Sequence, residues 1–521
     1  MLIPAWATPQ SGIMLYPEEY RFRTSRTEAL PIHLGKYKSG VLLLLLAAGA
    51  LLTHGYHPYV EDAEIYLPGI EHILNPSLFP AGQEFFRSHA GMTLFPDLVA
   101  YSLRATHANF EMGLLIWQFA SIFLLLLACW KMSGLLFGSE RARWGSTCLI
   151  AALLTTPVAG TALYIMDQYL NPRNLAAFAA VFAVTAILER KHLRAVAWIA
   201  FAACVHPLMW VFPFSFGALW VVLDQIERRS GWRIAGAETL SAVWLLGIPL
   251  SPTSPAYHES ARMHSYFYIQ DWQWYEWLGL FGPIVVLWWF GHIARTRHRP
   301  LLARACRVFA LYGIIYLLVA LAVDLPPALE SLARIQPLRS LHLLYIFLFI
   351  CIGGFFGEYV LRDRTWRWLA LFVPLSIGML VAQRALFPAS AHIEWPGRRP
   401  RNSWAQAFTW IRGNTPTNTV FAIDPDYMRL PGEDEIGFRC LAERSRLADV
   451  VKDGGVVSMF PPLAEEWREQ VRAQSPWKQL QAPDFVRLQQ KYGVSWVVVQ
   501  QPVAGLDCPY TNSVVRVCRV P

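Results

Sequence analysis

Charge is scarce in this chain. Of its 521 residues only 16% are Asp, Glu, Lys or Arg, against 55% apolar residues, and the mean hydropathy is positive. That balance excludes an ordinary soluble enzyme built around one large core and fits a polytopic membrane protein. A cleavable leader is not expected either. The first 35 residues hold Glu18, Glu19, Arg21, Arg23 and Arg26 but no short apolar core before a small-residue cleavage site, so the first hydrophobic run reads as a retained signal anchor. Cysteine is sparse: Cys129, Cys148, Cys204, Cys306 and Cys351 fall in apolar runs, where a small buried hydrophobe suffices, which leaves Cys440, Cys508 and Cys518 outside them. The apolar runs are almost free of charge and the two halves show no repeat. A transporter or flippase, whose pathway carries ionisable groups at membrane depth, is therefore the weaker alternative to surface chemistry, as is a non-catalytic membrane scaffold.

What is abundant is hydrophobic length. Runs at about 39–54, 112–130, 144–165, 174–188, 194–205, 207–223, 234–250, 276–294, 305–323, 340–360 and 367–386 give about eleven transmembrane helices. The net charge of +8 is gathered in short clusters between these runs, which reports topology and predicts no nucleic-acid partner. With residues 1–38 as a cytoplasmic tail, Lys36 and Lys38, Arg141 and Arg143, Arg190 and Arg194, Arg228 and Arg233, Arg295 and Arg299, and Arg362 and Arg367 all fall inside. The pattern survives only if the apolar stretch around His206 and Pro207 is two short helices with a turn there, since proline removes a backbone donor and biases its predecessor away from helix. The expected location is a bacterial inner membrane, with residues 39–387 as the membrane domain and residues 388–521 outside.

Residues 388–521 read as a small α/β domain. WAQAFTWIRGN, LAEEWREQVRAQ and PDFVRLQQKYG have helical periodicity; NTVFAID, SWVVVQ and SVVRVCR read as strands. Cys508 and Cys518 flank a turn-rich stretch in a compartment that permits a disulfide, which favours a bridge. ERSRLADVVKDGG is charged; it is either a solvated loop or a lid facing the membrane site.

The longest loop between spans, residues 54–111, is acidic and begins HGYHPYVEDAEIY directly after the first run. Glu61, Asp62 and Glu64 stand there beside His57. A carboxylate accepts the proton of an attacking hydroxyl or holds a divalent metal. Glu61 and Glu64 share a helix face, so Glu64 is the candidate ligand for a Mg or Mn ion, and Asp62 or Glu61 the candidate base. The other outer loops add His206, His264, and the arginines Arg173 (in DQYLNPRN) and Arg339 (in RIQPLRSLH), whose paired donors suit a lipid phosphate.

The layout of an acidic loop after the first helix, about eleven spans and an outward α/β domain resembles the C-type glycosyltransferase (GT-C) superfamily. The resemblance implies an acidic catalytic residue in the first outer loop, matched here by Glu61 and Asp62, and a sugar donor on a polyprenyl phosphate, held through Arg173 and Arg339. EDAE carries the Asp-Glu pair of the O-mannosyltransferases in reversed order, and there is no Asp-x-Asp of the metal-dependent oligosaccharyltransferases. The expected function is an integral membrane glycosyltransferase acting from a polyprenyl-phosphate-linked sugar at the outer face, with membrane lipid as its surroundings and the oligomeric state open.

Overall fold

The computed structural model describes residues 36–228, 253–324 and 327–521. The N-terminal tail before residue 36, the run expected at 234–250 and the Arg233 end of its flanking cluster lie outside the described residues. Contacts divide the chain into Met1–Leu42, of which only the start of the first helix is described, and Leu43–Pro521.

The chain is mostly helical. From the N-terminus the helices are α1 (Lys36–His54), α2 (Ala63–Leu74), α3 (Glu84–Ala90), α4 (Phe95–Thr106), α5 (Phe110–Phe137) and α6 (Glu140–Ala152), followed by α7 (Pro172–Leu188), α8 (His192–Val205) and α9 (Val211–Arg228). Then come α10 (Pro255–Arg262), α11 (Trp274–Thr296), α12 (Pro300–Asp324), α13 (Leu341–Phe355) and α14 (Thr365–Leu386). Among the described residues five helical segments are long and apolar enough to cross a membrane: Phe110–Phe137, Trp274–Thr296, Pro300–Asp324, Leu329–Leu361 and Thr365–Leu386. Lys38–His54, Pro172–Leu188, His192–Val205 and Val211–Ile226 are apolar but shorter.

Two expectations about the spans meet different outcomes. The stretch around Pro207 does break, between α8 and α9, and His206 takes the extended C-cap position of α8. The run expected at 144–165 is not a span: α6 ends at Ala152, and the chain turns into a hairpin of β1 (Pro157–Val158) and β2 (Leu163–Tyr164). The break follows from TTPVAG, where Pro157 removes a helix donor and Gly160 takes a positive φ of 63° at the turn. Where α6 meets α13, a Cβ added at Gly145 would run into the Gly353 carbonyl, and Ser146 Oγ donates to Ile350 O at 2.6 Å. Small residues let apolar helices approach backbone to backbone there.

After residue 402 the order is α15 (Ser403–Asn414), β3 (Val420–Ile423), α16 (Arg439–Ala442), β4 (Ser445–Arg446), α17 (Lys452–Met459), α18 (Ala464–Ala473), α19 (Ala482–Tyr492), β5 (Val494–Val499), β6 (Asp507–Thr511) and β7 (Arg516–Arg519). The sheet runs β4-β3-β5-β7-β6, parallel from β4 to β5 and antiparallel beyond. Cys508 and Cys518 are bridged across its antiparallel edge. The expected helices and strands are all present, and β4, β6, α16 and α17 are additional. This segment shares a core with the loop that follows α1: Trp404, Phe408 and Phe438 belong to the same buried cluster as Tyr59, Val60 and Ala63. Isolated bridges pair Tyr56 with Ile393 and Val60 with Ile436.

Candidate functional site

The loop after α1 is fixed at both ends before it reaches its carboxylates. His54 closes α1 with Nδ1 2.7 Å from Thr155 Oγ1 and Nε2 2.8 Å from Ala151 O. The segment then passes through its two bridges, with a turn at Pro58 and Tyr59 between them, to Glu61, where φ is +50° and the N–H donates to Glu435 O at 3.0 Å. A left-handed residue other than glycine costs on the order of 1 kcal/mol, and such residues persist where packing over-determines them. Asp62 follows as the N-cap residue of α2, with its backbone N–H 3.3 Å from Tyr169 Oη.

Asp62 faces Arg173. In DQYLNPRN, Asn171 Oδ1 caps α7 by accepting the Arg173 N–H at 2.9 Å, and Pro172 enters the first turn, where its missing donor costs nothing. A cation at a helix N-terminus opposes the helix dipole. Two carboxylates offset it: Arg173 Nη1 lies 2.8 Å from Asp62 Oδ2, and Nη2 lies 3.1 Å from Asp167 Oδ2.

The other Asp62 oxygen is held from far along the chain. Lys452 Nζ, at the first residue of α17, lies 3.2 Å from Asp62 Oδ1 and 3.8 Å from Glu435. Its helix is anchored by a buried ion network. Arg439 grips Asp453 through two hydrogen bonds of 2.9 Å each, and Arg446 pairs with Asp449. Glu64 completes this network: its Oε1 is 2.9 Å from Arg446 and 3.4 Å from Arg439, and its Oε2 accepts the Cys440 N–H. Glu64, expected as a metal ligand, thus points away from Glu61 and ties the first loop to the segment carrying Lys452.

Glu61, Asp62, Arg173, His206, His264 and Arg339 line one cavity of about 200 Å³, together with Lys452, Tyr66, His89 and Tyr266. Arg339 stands before α13, its guanidinium 5.4 Å from the centre of the Tyr266 ring. Among the described residues no carboxylate lies within ion-pair distance of it, and its buried Nε has no partner. His206 Nδ1 accepts the N–H groups of Leu208 and Met209 at 3.1 and 3.3 Å, which makes its Nε2 the protonated, donating nitrogen. His264 Nδ1 is 3.1 Å from Ser260 O.

His57 stands outside this cavity. It is fully buried, stacked on Phe387 at 4.1 Å between centroids, with Nδ1 3.5 Å from Glu394. Lys452 was not singled out from the sequence as a site residue, nor was His89. The available signal was ADVVKDGG, whose charges are also what a solvated loop shows.

The neighbouring carboxyls differ electrostatically. Burial pushes Asp62 up, but Lys452 and Arg173 reverse this and hold it well below the usual carboxylate range. Burial pushes Glu61 up to about 7; Lys452 opposes the shift, while Glu435 and Asp62 reinforce it. Glu61 makes no ion pair among the described residues. Burial alone would lower Lys452, and Asp62, Glu61 and Glu435 outweigh it and keep the amine charged.

These side chains do not fit a divalent metal. Protein cations already hold both Asp62 oxygens, guanidinium groups hold Glu64, and among the described residues no three His, Cys, Asp or Glu side chains are gathered to bind one. The arrangement suits an anion beside a carboxylate that exchanges its proton near neutral pH. No protein-family model matches the chain, and no curated protein matches it.

Proposed function

We propose that the chain is an integral membrane glycosyltransferase of the GT-C type, using a polyprenyl-phosphate-linked sugar at the outer face of a bacterial inner membrane. Its N-terminus is cytoplasmic, and the segment from residue 388 lies outside. The observation that carries this reading is the joining of Glu61 and Asp62 with Arg173, Arg339 and Lys452 around one cavity. A surplus guanidinium without a carboxylate partner is what a phosphate requires, through paired charged donors.

Glu61 acts as the base. Its carboxyl, pushed up to about 7, takes a proton at ambient pH, whereas Asp62 is too acidic to do so usefully. The acceptor hydroxyl loses its proton to Glu61 as its oxygen attacks the anomeric carbon. The bond from that carbon to the phosphate oxygen breaks, and the phosphate departs with the electron pair toward Arg339 and Arg173. Direct displacement inverts the sugar carbon. Asp62 orients Arg173 and Lys452, and His206 Nε2–H donates to a sugar or phosphate oxygen.

The test is transfer of labelled sugar from a polyprenyl-phosphate donor in proteoliposomes. Wild-type protein transfers, while Glu61→Gln and Arg339→Gln fall by about 100-fold or more. Undiminished transfer by Glu61→Gln removes the base, and no transfer by wild type from any such donor removes the reading.

A further inference from the structure

A second cavity, of about 380 Å³, is lined in part by Tyr56, Pro58 and Tyr59 of the loop after α1 and shares no lining residue with the Asp62 cavity. Arg398, Arg399 and Arg401 line it, all exposed, and among the described residues none has a carboxylate partner. Two acids share its wall with these arginines, and Glu394 Oε2 accepts no hydrogen bond among the described residues. Glu111 Oε2 accepts the Gly397 N–H at 2.7 Å, and Glu394 lies 3.5 Å from His57 Nδ1. Tyr56 and Tyr59, 1% and 9% exposed, also line it, and among the described residues neither phenol hydroxyl has a hydrogen-bond partner. A buried tyrosine hydroxyl ordinarily finds a partner, so two orphans on residues that line one cavity, where arginines outnumber acids, call for an acceptor from outside the chain.

Trp395 belongs to this cavity and to an adjoining groove of about 440 Å³ lined only by apolar side chains. Its walls are Leu51 and Leu52 from the last turn of α1 and Leu115, Ile116 and Phe119 from the first turns of α5. The helix ends that flank the groove are thus the ends next to the arginine loop. An apolar slot between membrane helices opening onto cations and hydroxyl donors matches an amphiphile with a hydrocarbon tail and an anionic head. A soluble anion has no use for the groove, and a neutral lipid has none for the arginines.

We infer that this pair of cavities binds one anionic phospholipid, its phosphate among Arg398, Arg399, Arg401 and the two tyrosine hydroxyls, its chain between α1 and α5. The inference stands apart from the proposed transferase activity. It is tested by native mass spectrometry of the full chain in detergent, titrated with phosphatidylglycerol, phosphatidylcholine or glycerol phosphate. Phosphatidylglycerol is expected to be retained in preference to phosphatidylcholine. The R398Q/R399Q/R401Q variant is expected to weaken phosphatidylglycerol about tenfold or more and leave phosphatidylcholine unchanged. Ile116→Trp, which fills the groove, weakens phosphatidylglycerol without touching the arginines. Tyr59→Phe removes a hydroxyl that no protein group uses and keeps the test open if the triple variant fails to fold; it is expected to weaken phosphatidylglycerol several-fold. Equal retention of both lipids by wild type, or undiminished phosphatidylglycerol binding by the variants, overturns the inference. Glycerol phosphate competing as well as the lipid assigns the site to a soluble anion and overturns it too.

Discussion

Lys452 Nζ lies 3.2 Å from Asp62 Oδ1 across 390 residues of chain. Arg173 holds the other Asp62 oxygen at 2.8 Å, so one carboxylate is bracketed by two cations while its neighbour Glu61 is left without an ion pair among the described residues. Two adjacent acids in opposite environments take different chemical roles.

The pH profile of transfer follows from that split. Glu61 must be ionised to accept a proton, so activity rises with pH through its value of about 7. Lys452 holds that value down and Asp62 holds it up. Lys452→Met is therefore expected to move the acid limb of kcat/KM toward higher pH by about one unit, and Asp62→Asn toward lower pH. Shifts in the same direction, or none, would remove Glu61 from the proton transfer.

Arg339→Gln separates binding from folding. Among the described residues the guanidinium has no carboxylate partner, so the variant is expected to keep or raise the thermal midpoint while the KM for the lipid-linked donor rises about tenfold and kcat falls by a similar factor. A large fall in the midpoint with an unchanged KM would make Arg339 structural.

Glu64→Gln weakens the hydrogen bonds that Glu64 accepts from Arg439 and Arg446, which keep Asp453 and Asp449 as counter-charges. The expected cost is about 2 kcal/mol, read as a lower thermal midpoint in detergent. Transfer should fall with it, because the same network positions Lys452. A fully stable but inactive variant would point instead to a direct role for Glu64.

Glu71 in α2 is buried, and among the described residues neither of its carboxyl oxygens has a partner. Burial, reinforced by Glu443 and Glu64, pushes it well above the ordinary range. The folded chain therefore keeps this proton when the unfolded chain has lost it, and stability falls as pH rises past about 4.3 toward the folded value. Glu71→Gln removes that loss. It is expected to raise the thermal midpoint at neutral pH by about 2 °C or more and to flatten its pH dependence. A lower midpoint would mean that the ionised carboxylate is stabilising.

Much of the site was legible locally. YVEDAEIY and DQYLNPRN already hold Glu61, Asp62, Asp167 and Arg173, since polar groups at the ends of apolar runs are conspicuous and an Asn-Pro pair starts a helix by its own chemistry. His57 and Glu64 show the limit of that reading. Spacing on a helix says which residues share a face, but not what the face meets, and Glu64 meets two arginines from residues 439–446.

The sequence by itself determined most of the apolar helices that the structure describes (though not the end of the one expected at 144–165), the break near Pro207, the α/β character of the last segment and its cysteine pair, because periodicity, proline geometry and hydrophobic length act within a few residues. Only the tertiary structure decided that Lys452 completes the Asp62 site, that Glu64 is a structural anchor and that Arg339 has no carboxylate partner among the described residues. Charge pairing is set by distance in space, and burial turns such pairing into a large energy, so residues hundreds apart determine which of two adjacent carboxylates is free to accept a proton.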